Sequence, residues 1–324
     1  MARIDVEYLQ RRARDGDLDA LNLLGRALLL GEGVTQSVED GVRLTNEAAA
    51  RHHPEAVARR ALCAAWGVQQ PRNIEAALDD LLHAAQGGWT AAQQELRLLA
   101  RSADADWQTL RHAIELSALI SAPAMRVISQ RPLIAVVDRF ASAAECAWLI
   151  ARGRPSLGRA KVYRDSATAQ TAASRTNSET GFTIANADVF LSLLRDRMAS
   201  VTSIATNFFE ITKLLHYTAD QQFALHSDFL PTNTPELRKE IDRRGQRAIT
   251  LLVYLNDDYG GGATEFPRIG LRFRGKQGDA LIFRNIDAAG SPDYDSVHAG
   301  LPVEGGEKWV LSQWMRTKQV GPSS

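Results

Sequence analysis

The sequence predicts an α+β protein: a solenoid of N-terminal α-hairpin repeats, then a β-sandwich or jelly-roll barrel with helices packed on one side. Three observations carry this. Residues 1 to about 115 are rich in Ala, Leu, Arg and Glu and poor in β-branched residues, and they repeat themselves at a fixed interval. Two prolines, Pro123 and Pro132, mark a boundary near Ser121 to Arg131, beyond which the apolar periodicity changes from helical to alternating. Beyond them come short alternating strands separated by Gly, Asn, Asp and Pro. The domains expected are therefore 1–120 and 121–324.

In the first domain, "GDLDALNLLGRALLLGEGV" from Gly16 is echoed by "HHPEAVARRALCAAWGV" from His52 and by "GGWTAAQQELRLLA" from Gly87. Ala20, Ala56 and Ala91 align at intervals of 36 and 35 residues, and the pair Ala48-Ala49 recurs as Ala84-Ala85. Small residues there let antiparallel helices approach closely, and Gly31, Gly33 and Gly67 can end helices in the left-handed region. His52, His53, His83 and His112 have no carboxylates at ligand spacing and read as ordinary residues. The pattern A-x-x-L-L-G, then G-x-G-V, then a paired A-A resembles Sel-one-like repeats, relatives of the tetratricopeptide repeat. The resemblance implies a concave face for a protein or peptide partner; the plainer reading is that the helices brace the second domain.

In the second domain "PLIAVVDRF" reads as a strand. "SAAECAWLIARG" reads as a helix capped by Ser142, and "NADVFLSLLRDRMASVTSI" as another helix. The strands "FFEITKLLHY", "QQFALHSDF", "RAITLLVYLN", "GLRFRGK", "DALIFRN" and "EKWVLSQWM" follow. Two polar stretches, Arg164 to Gly181 and residues 230–246, read as candidate lids, the second with a short helix after Thr234.

Composition narrows the functions. The 324 residues carry 38 basic and 38 acidic side chains, so net charge draws the chain neither to nucleic acid nor to anionic membrane. The two cysteines, Cys63 and Cys146, are far apart and form no CxxC, as expected of a reducing compartment. The N-terminus lacks an apolar run of signal-peptide length, and the expected localisation is cytoplasmic.

In an extended segment residues i and i+2 share a face, so His226 and Asp228 can converge on one ion. The other histidines of the second domain are His216 and His298, and His298 fits a strand start at a sheet rim. Two neutral imidazoles and one carboxylate form the facial triad of non-haem Fe(II) oxygenases, whereas a closed zinc site needs a fourth ligand. Alternation in the last strand places Lys308, Val310, Ser312, Trp314 and Arg316 on one face. A lysine directed into a barrel is costly unless an anion meets it, and Tyr217 and Thr250 are the hydroxyl donors that could assist; the alternative is a lysine reaching out to solvent at a strand end.

Tyr217, the HSDF nine residues on, "YGGGATEFP", "GKQGDALIF", "DYDSVHAGLPV" and Lys308 ten residues after His298 occur in one order. In this ordered set residues 131 to 317 resemble the catalytic domain of prolyl 4-hydroxylases, 2-oxoglutarate- and Fe(II)-dependent dioxygenases with a double-stranded β-helix fold. The resemblance implies Fe(II) on His226, Asp228 and His298, and 2-oxoglutarate held by Lys308, Tyr217 and Thr250. It implies O2 and ascorbate as further cofactors and hydroxylation of an unactivated C–H bond. Phe223 stands where the family often has tyrosine, and Arg316 where it usually has histidine near the substrate. Trp314 and Arg316 are the expected substrate contacts, the arginine favouring a carboxylate or acidic neighbour. Three functions stay open: hydroxylation of a peptide or protein side chain, with the repeats recruiting it; the same chemistry on a free amino acid or metabolite; and an inactive barrel serving as a scaffold.

Overall fold

The computed structural model describes residues 5–102, 105–160 and 174–320. They divide into two units, Met1–Ile120 with Ile184–Arg195, and Ser121–Thr183 with Asp196–Ser324. No helix among the described residues is long and apolar enough to cross a membrane.

The first unit is a run of helices: α1 (Val6–Arg14), α2 (Leu18–Leu30), α3 (Val38–Ala50), α4 (Pro54–Trp66), α5 (Ile74–Gln86), α6 (Thr90–Ala100), α7 (Trp107–His112) and α8 (Leu116–Ile120). Their ends follow from capping chemistry. The side chains of Asp17, Ser37, His53 and Asn73 each accept a hydrogen bond from the backbone N–H three residues on. Gly31 and Gly67 end α2 and α4 in the left-handed region. His53 is thus a cap, with its Nε2 3.0 Å from Asp19.

The N-caps Asp17, His53 and Trp89 are 36 residues apart, which corrects the sequence alignment. The third residue of α6 is Ala92, and Ala92 is the buried one, so it and not Ala91 is the equivalent of Ala20 and Ala56. Close helix approach explains the small residues. A Cβ on Gly41 would lie 2.6 Å from Leu29 Cγ and 3.0 Å from the Gly25 carbonyl oxygen. One repeat later Ala61 and Ala77 hold the same two places, both fully buried. Residues 184–195 complete this unit: the Trp66 indole donates to the Asp188 carbonyl (2.9 Å), the Ser192 hydroxyl to the Ala65 carbonyl (2.8 Å), and the Phe190 N–H to Glu95 (2.8 Å).

The second unit is a double-stranded β-helix. Its larger sheet has the order β1 (Arg126–Gln130), β2 (Leu133–Val137), β11 (Ala280–Arg284), β7 (Arg247–Tyr254), β14 (Lys308–Arg316), β5 (Lys213–Tyr217), β4 (Ser178–Gly181), β3 (Gly158–Arg159). The smaller has the order β10 (Leu271–Phe273), β9 (Thr264–Phe266), β12 (His298–Gly300), β6 (Phe223–His226), and β8 (Gly260–Gly261) pairs with β13 (Val303–Gly305). Inward residues such as Val136, Leu252, Phe266, Phe283 and Val310 meet in one core. Helix α9 (Ala143–Gly153) begins with a capping box of Ser142 and Glu145, and α10 (Val189–Thr202), the second helix the sequence predicts, belongs to the first unit up to Arg195 and to the second from Asp196.

The first candidate lid changes, and the second carries the short helix expected after Thr234. Residues 164–173 lie outside the described residues, and Ser178–Gly181 is no loop but a strand hydrogen-bonded on both edges. In the second stretch α11 (Pro235–Arg244) starts at the N-cap Thr234.

Candidate active site

The smaller sheet brings the triad together by register. β6 and β12 are antiparallel with His226 opposite His298, and Asp228 follows two residues after His226. One ligand atom from each of the three lies within 4.8 Å of the others. His226 Nε2 is 3.7 Å from Asp228 Oδ1, and His298 Nε2 is 3.8 Å from Oδ2.

Both imidazoles are oriented the same way. His226 Nδ1 lies 2.9 Å from the Ala224 carbonyl oxygen and His298 Nδ1 lies 3.0 Å from that of Ser296. A carbonyl oxygen only accepts, so each Nδ1 carries the proton and each Nε2 presents a lone pair. Phe223 stacks on the His226 ring (centroids 3.4 Å apart, 10° between planes), and Phe283 meets the His298 ring edge-on at 4.7 Å. Burial, joined by His298, pushes the His226 imidazole down to about 3, so it is neutral near pH 7. Burial raises the Asp228 carboxyl, but His298, His226, Thr250 and Arg247 outweigh it and hold it below the usual range. Two imidazole nitrogens and one ionised carboxylate fit Fe(II) and leave its remaining positions open.

Asp228 is itself held. The Thr250 hydroxyl donates to Oδ2 (2.7 Å) while accepting from Asn285 Nδ2 (2.9 Å). This corrects the sequence reading, which put Thr250 with Lys308: its one proton is spent on Asp228, a member of the triad. Asn285 was not foreseen; a polar residue ending the strand "DALIFRN" was its only signal.

A pocket extends from the triad between the sheets. Along β14 its wall carries Lys308, Val310, Ser312 and Trp314, the face that alternation predicts. Tyr217 and Thr264 line it too; Thr264, overlooked in the sequence, shares a 2.7 Å hydrogen bond with the Tyr254 hydroxyl. Lys308 is 3% exposed and donates to the Gly262 carbonyl at 2.7 Å, with the Tyr217 ring centroid 5.2 Å from Nζ. Gly262, at φ 63°, lies so close that a Cβ would come within 3.3 Å of Lys308 Cδ. Burial, with help from Arg274, pushes the ammonium down to about 7, and burial raises the Tyr217 phenol to about 12. His216, the remaining histidine of this unit, stacks on Trp309 (4.0 Å) and is not part of the triad.

Arg316 departs from its expected role. It does not line the pocket but donates to Glu210 (2.5 Å), to the Gly245 carbonyl (2.8 Å) and to Glu240 (3.2 Å). A register shift in β7 sets it opposite Arg247, which grips the same Glu210 through two bonds of 2.7 and 2.9 Å. Trp314 does line the pocket, with the Arg247 guanidinium 3.9 Å from its ring. Arg175, which sequence reasoning passed over, lines it as well, 4.6 Å over the Phe223 ring.

Residues 212–316 match the 2OG-Fe(II) oxygenase superfamily. Among curated proteins, prolyl 4-hydroxylase 1 of Arabidopsis thaliana is 30% identical over 208 residues, spanning 59% of this chain and 71% of that one. Among solved structures, a viral collagen prolyl hydroxylase from Paramecium Bursaria Chlorella virus-1, in complex with 2-oxoglutarate, is similar at 26% identity and a TM-score of 0.44, covering 56% of this chain and 95% of that one. A Sel1 repeat protein from Oxalobacter formigenes is similar at 17% identity and a TM-score of 0.29, covering 36% and 51%.

Proposed function

Since the chain belongs to the prolyl 4-hydroxylase family of 2-oxoglutarate- and Fe(II)-dependent oxygenases, we propose that it hydroxylates a prolyl residue of a peptide or protein. It is a 2-oxoglutarate-dependent hydroxylase that uses Fe(II), 2-oxoglutarate and O2. When bound, iron and 2-oxoglutarate supply an oxidative decarboxylation to succinate and CO2 that puts one oxygen atom of O2 into a substrate C–H bond.

In this reading His226, Asp228 and His298 hold the iron, each imidazole kept in its ligating tautomer by a backbone carbonyl and Asp228 held in place by the Thr250 hydroxyl. Lys308 and Tyr217, with Thr264 in place of Thr250, receive the far carboxylate of 2-oxoglutarate. Leu215, Leu252 and Val310 line the pocket and exclude water from it. Trp314 borders the substrate. The α-hairpin array recruits the target, since such arrays offer extended contact surfaces.

The observation that carries this reading is a His-Asp-His donor set and a buried lysine in one pocket, as a chelating dicarboxylate requires. The test is hydroxylation of proline-containing peptides, read by mass spectrometry as gain of one oxygen atom on proline together with equimolar succinate. Adding Fe(II) and then 2-oxoglutarate without O2 should give a visible charge-transfer band that His298→Ala lacks. That band without hydroxyproline in any peptide would send the assignment to another substrate.

A further inference from the structure

The wall beside Trp314 is cationic. On β5 the alternation that puts Tyr217 and Leu215 into the pocket continues to Lys213, one step beyond the lining residues. Its ammonium lies 5.4 Å from the Trp314 ring, which also carries Arg247. Glu179 is shared: it takes Lys213 on Oε1 (2.8 Å) and Arg175 on Oε2 (2.6 Å). Even so, the Lys213 ammonium is held below its ordinary value, by burial first and then by Arg175 and Arg247 acting against Glu179. The Lys213 side chain is 22% exposed and Arg175 only 3%, so of this pair the lysine is the one an incoming group reaches. Asp228, the carboxylate among the pocket-lining residues, is taken by the metal in the reading above.

We propose that Lys213 reads a carboxylate on the substrate next to the carbon that is hydroxylated, with Glu179 holding that place when no substrate is bound. The carboxylate comes either from an Asp or Glu beside the target proline in a peptide or from the α-carboxylate of free proline. This rests on the prolyl reading above and narrows its substrate class. Trp314 supplies an apolar face for the pyrrolidine ring, and Arg175 keeps Glu179 within reach when the substrate displaces it from Lys213.

Matched pairs test it: a proline peptide with Asp or with Asn beside the proline, and L-proline against L-prolinamide. The readout is the ratio of KM for the amide to KM for the acid within each variant, which cancels any general loss of active enzyme. Wild type should favour the acid by roughly tenfold, the order expected of one charge-assisted hydrogen bond. Lys213→Gln should bring the ratio to about one, Lys213→Arg should keep it, and Glu179→Gln should raise it, a gain that a purely structural role does not produce. Which pair shows the preference tells a peptide carboxylate from a free amino acid. A wild-type ratio of one, or a preference that survives Lys213→Gln, overturns the inference. Turnover of neither pair sinks the prolyl reading and this inference with it.

Discussion

Lys308 and Arg316 stand at opposite ends of β14, and each is 3% exposed, yet the protein treats their charges in opposite ways. Arg316 meets two carboxylates and a carbonyl, Glu210 at 2.5 Å foremost. Lys308 meets one neutral carbonyl, that of Gly262, and no carboxylate partner among the described residues. Burial alone therefore does not mark a binding cation. What marks it is a charge whose partner the fold does not supply, because a buried charge without a counterion has to obtain one from a ligand or lose its proton.

The contrast is broken most severely at Glu210. Burial raises this carboxyl, but Arg247 and Arg316 bring it down to about 2. Its contribution to stability is present above the ordinary carboxyl value of 4.5 and is lost as pH falls from there toward 2. Glu210→Gln leaves two buried guanidinium groups without their shared partner, at a cost of about 3–5 kcal/mol. Calorimetry should show an apparent Tm lower by roughly 10 °C, with the 2-oxoglutarate requirement of the folded enzyme unchanged. A normal Tm would mean that the cluster is not structural.

Lys308→Ala is the opposite case. It should raise the KM for 2-oxoglutarate about 100-fold, the scale of losing one partner of a buried charge pair, while leaving Fe(II) binding intact. Stability should hold or rise, because an uncompensated charge is removed. Succinate release against 2-oxoglutarate concentration measures the first effect, and an unchanged KM would remove Lys308 from the co-substrate site.

The same lysine gives a pH dependence. Its ammonium titrates near 7 in the free protein, and a bound carboxylate raises that value, so binding takes up a proton. Affinity for 2-oxoglutarate should be greatest below pH 7 and fall by up to tenfold per unit as pH rises through it. Calorimetric titration at pH 6.5 and 8.5 checks the sign; equal affinities would show that Lys308 stays charged throughout.

How much of this was legible follows from where each partner lies in the chain. The pocket face of β14 and the convergence of His226 with Asp228 depend on alternation within one strand, which sequence displays directly. His298 needed only the scarcity of histidine and a strand start. Arg316 was misread because Glu210 and Glu240 lie 106 and 76 residues before it, and no local pattern joins them. Thr250 was read as a hydroxyl donor for Lys308, since the sequence of one strand says nothing of what stands across the barrel. In the repeats, Ala91 stood in for Ala92 because the local composition is alanine-rich; the caps, which are backbone features, settled the 36-residue period.

The smallest predicted effect decides which end of the pocket Thr250 serves. Thr250→Val keeps the shape and removes the hydroxyl that joins Asn285 to Asp228. Loss of such support behind a ligand typically weakens metal binding by 10- to 100-fold, and the lower end is expected here because Asp228 and both imidazoles remain. Fe(II) titration without O2 should therefore show affinity about tenfold weaker, restored by Thr250→Ser, whose hydroxyl can make both bonds again. The KM for 2-oxoglutarate, measured at saturating Fe(II), should stay unchanged. The reverse result, normal metal affinity with a raised KM, would return Thr250 to the side of Lys308.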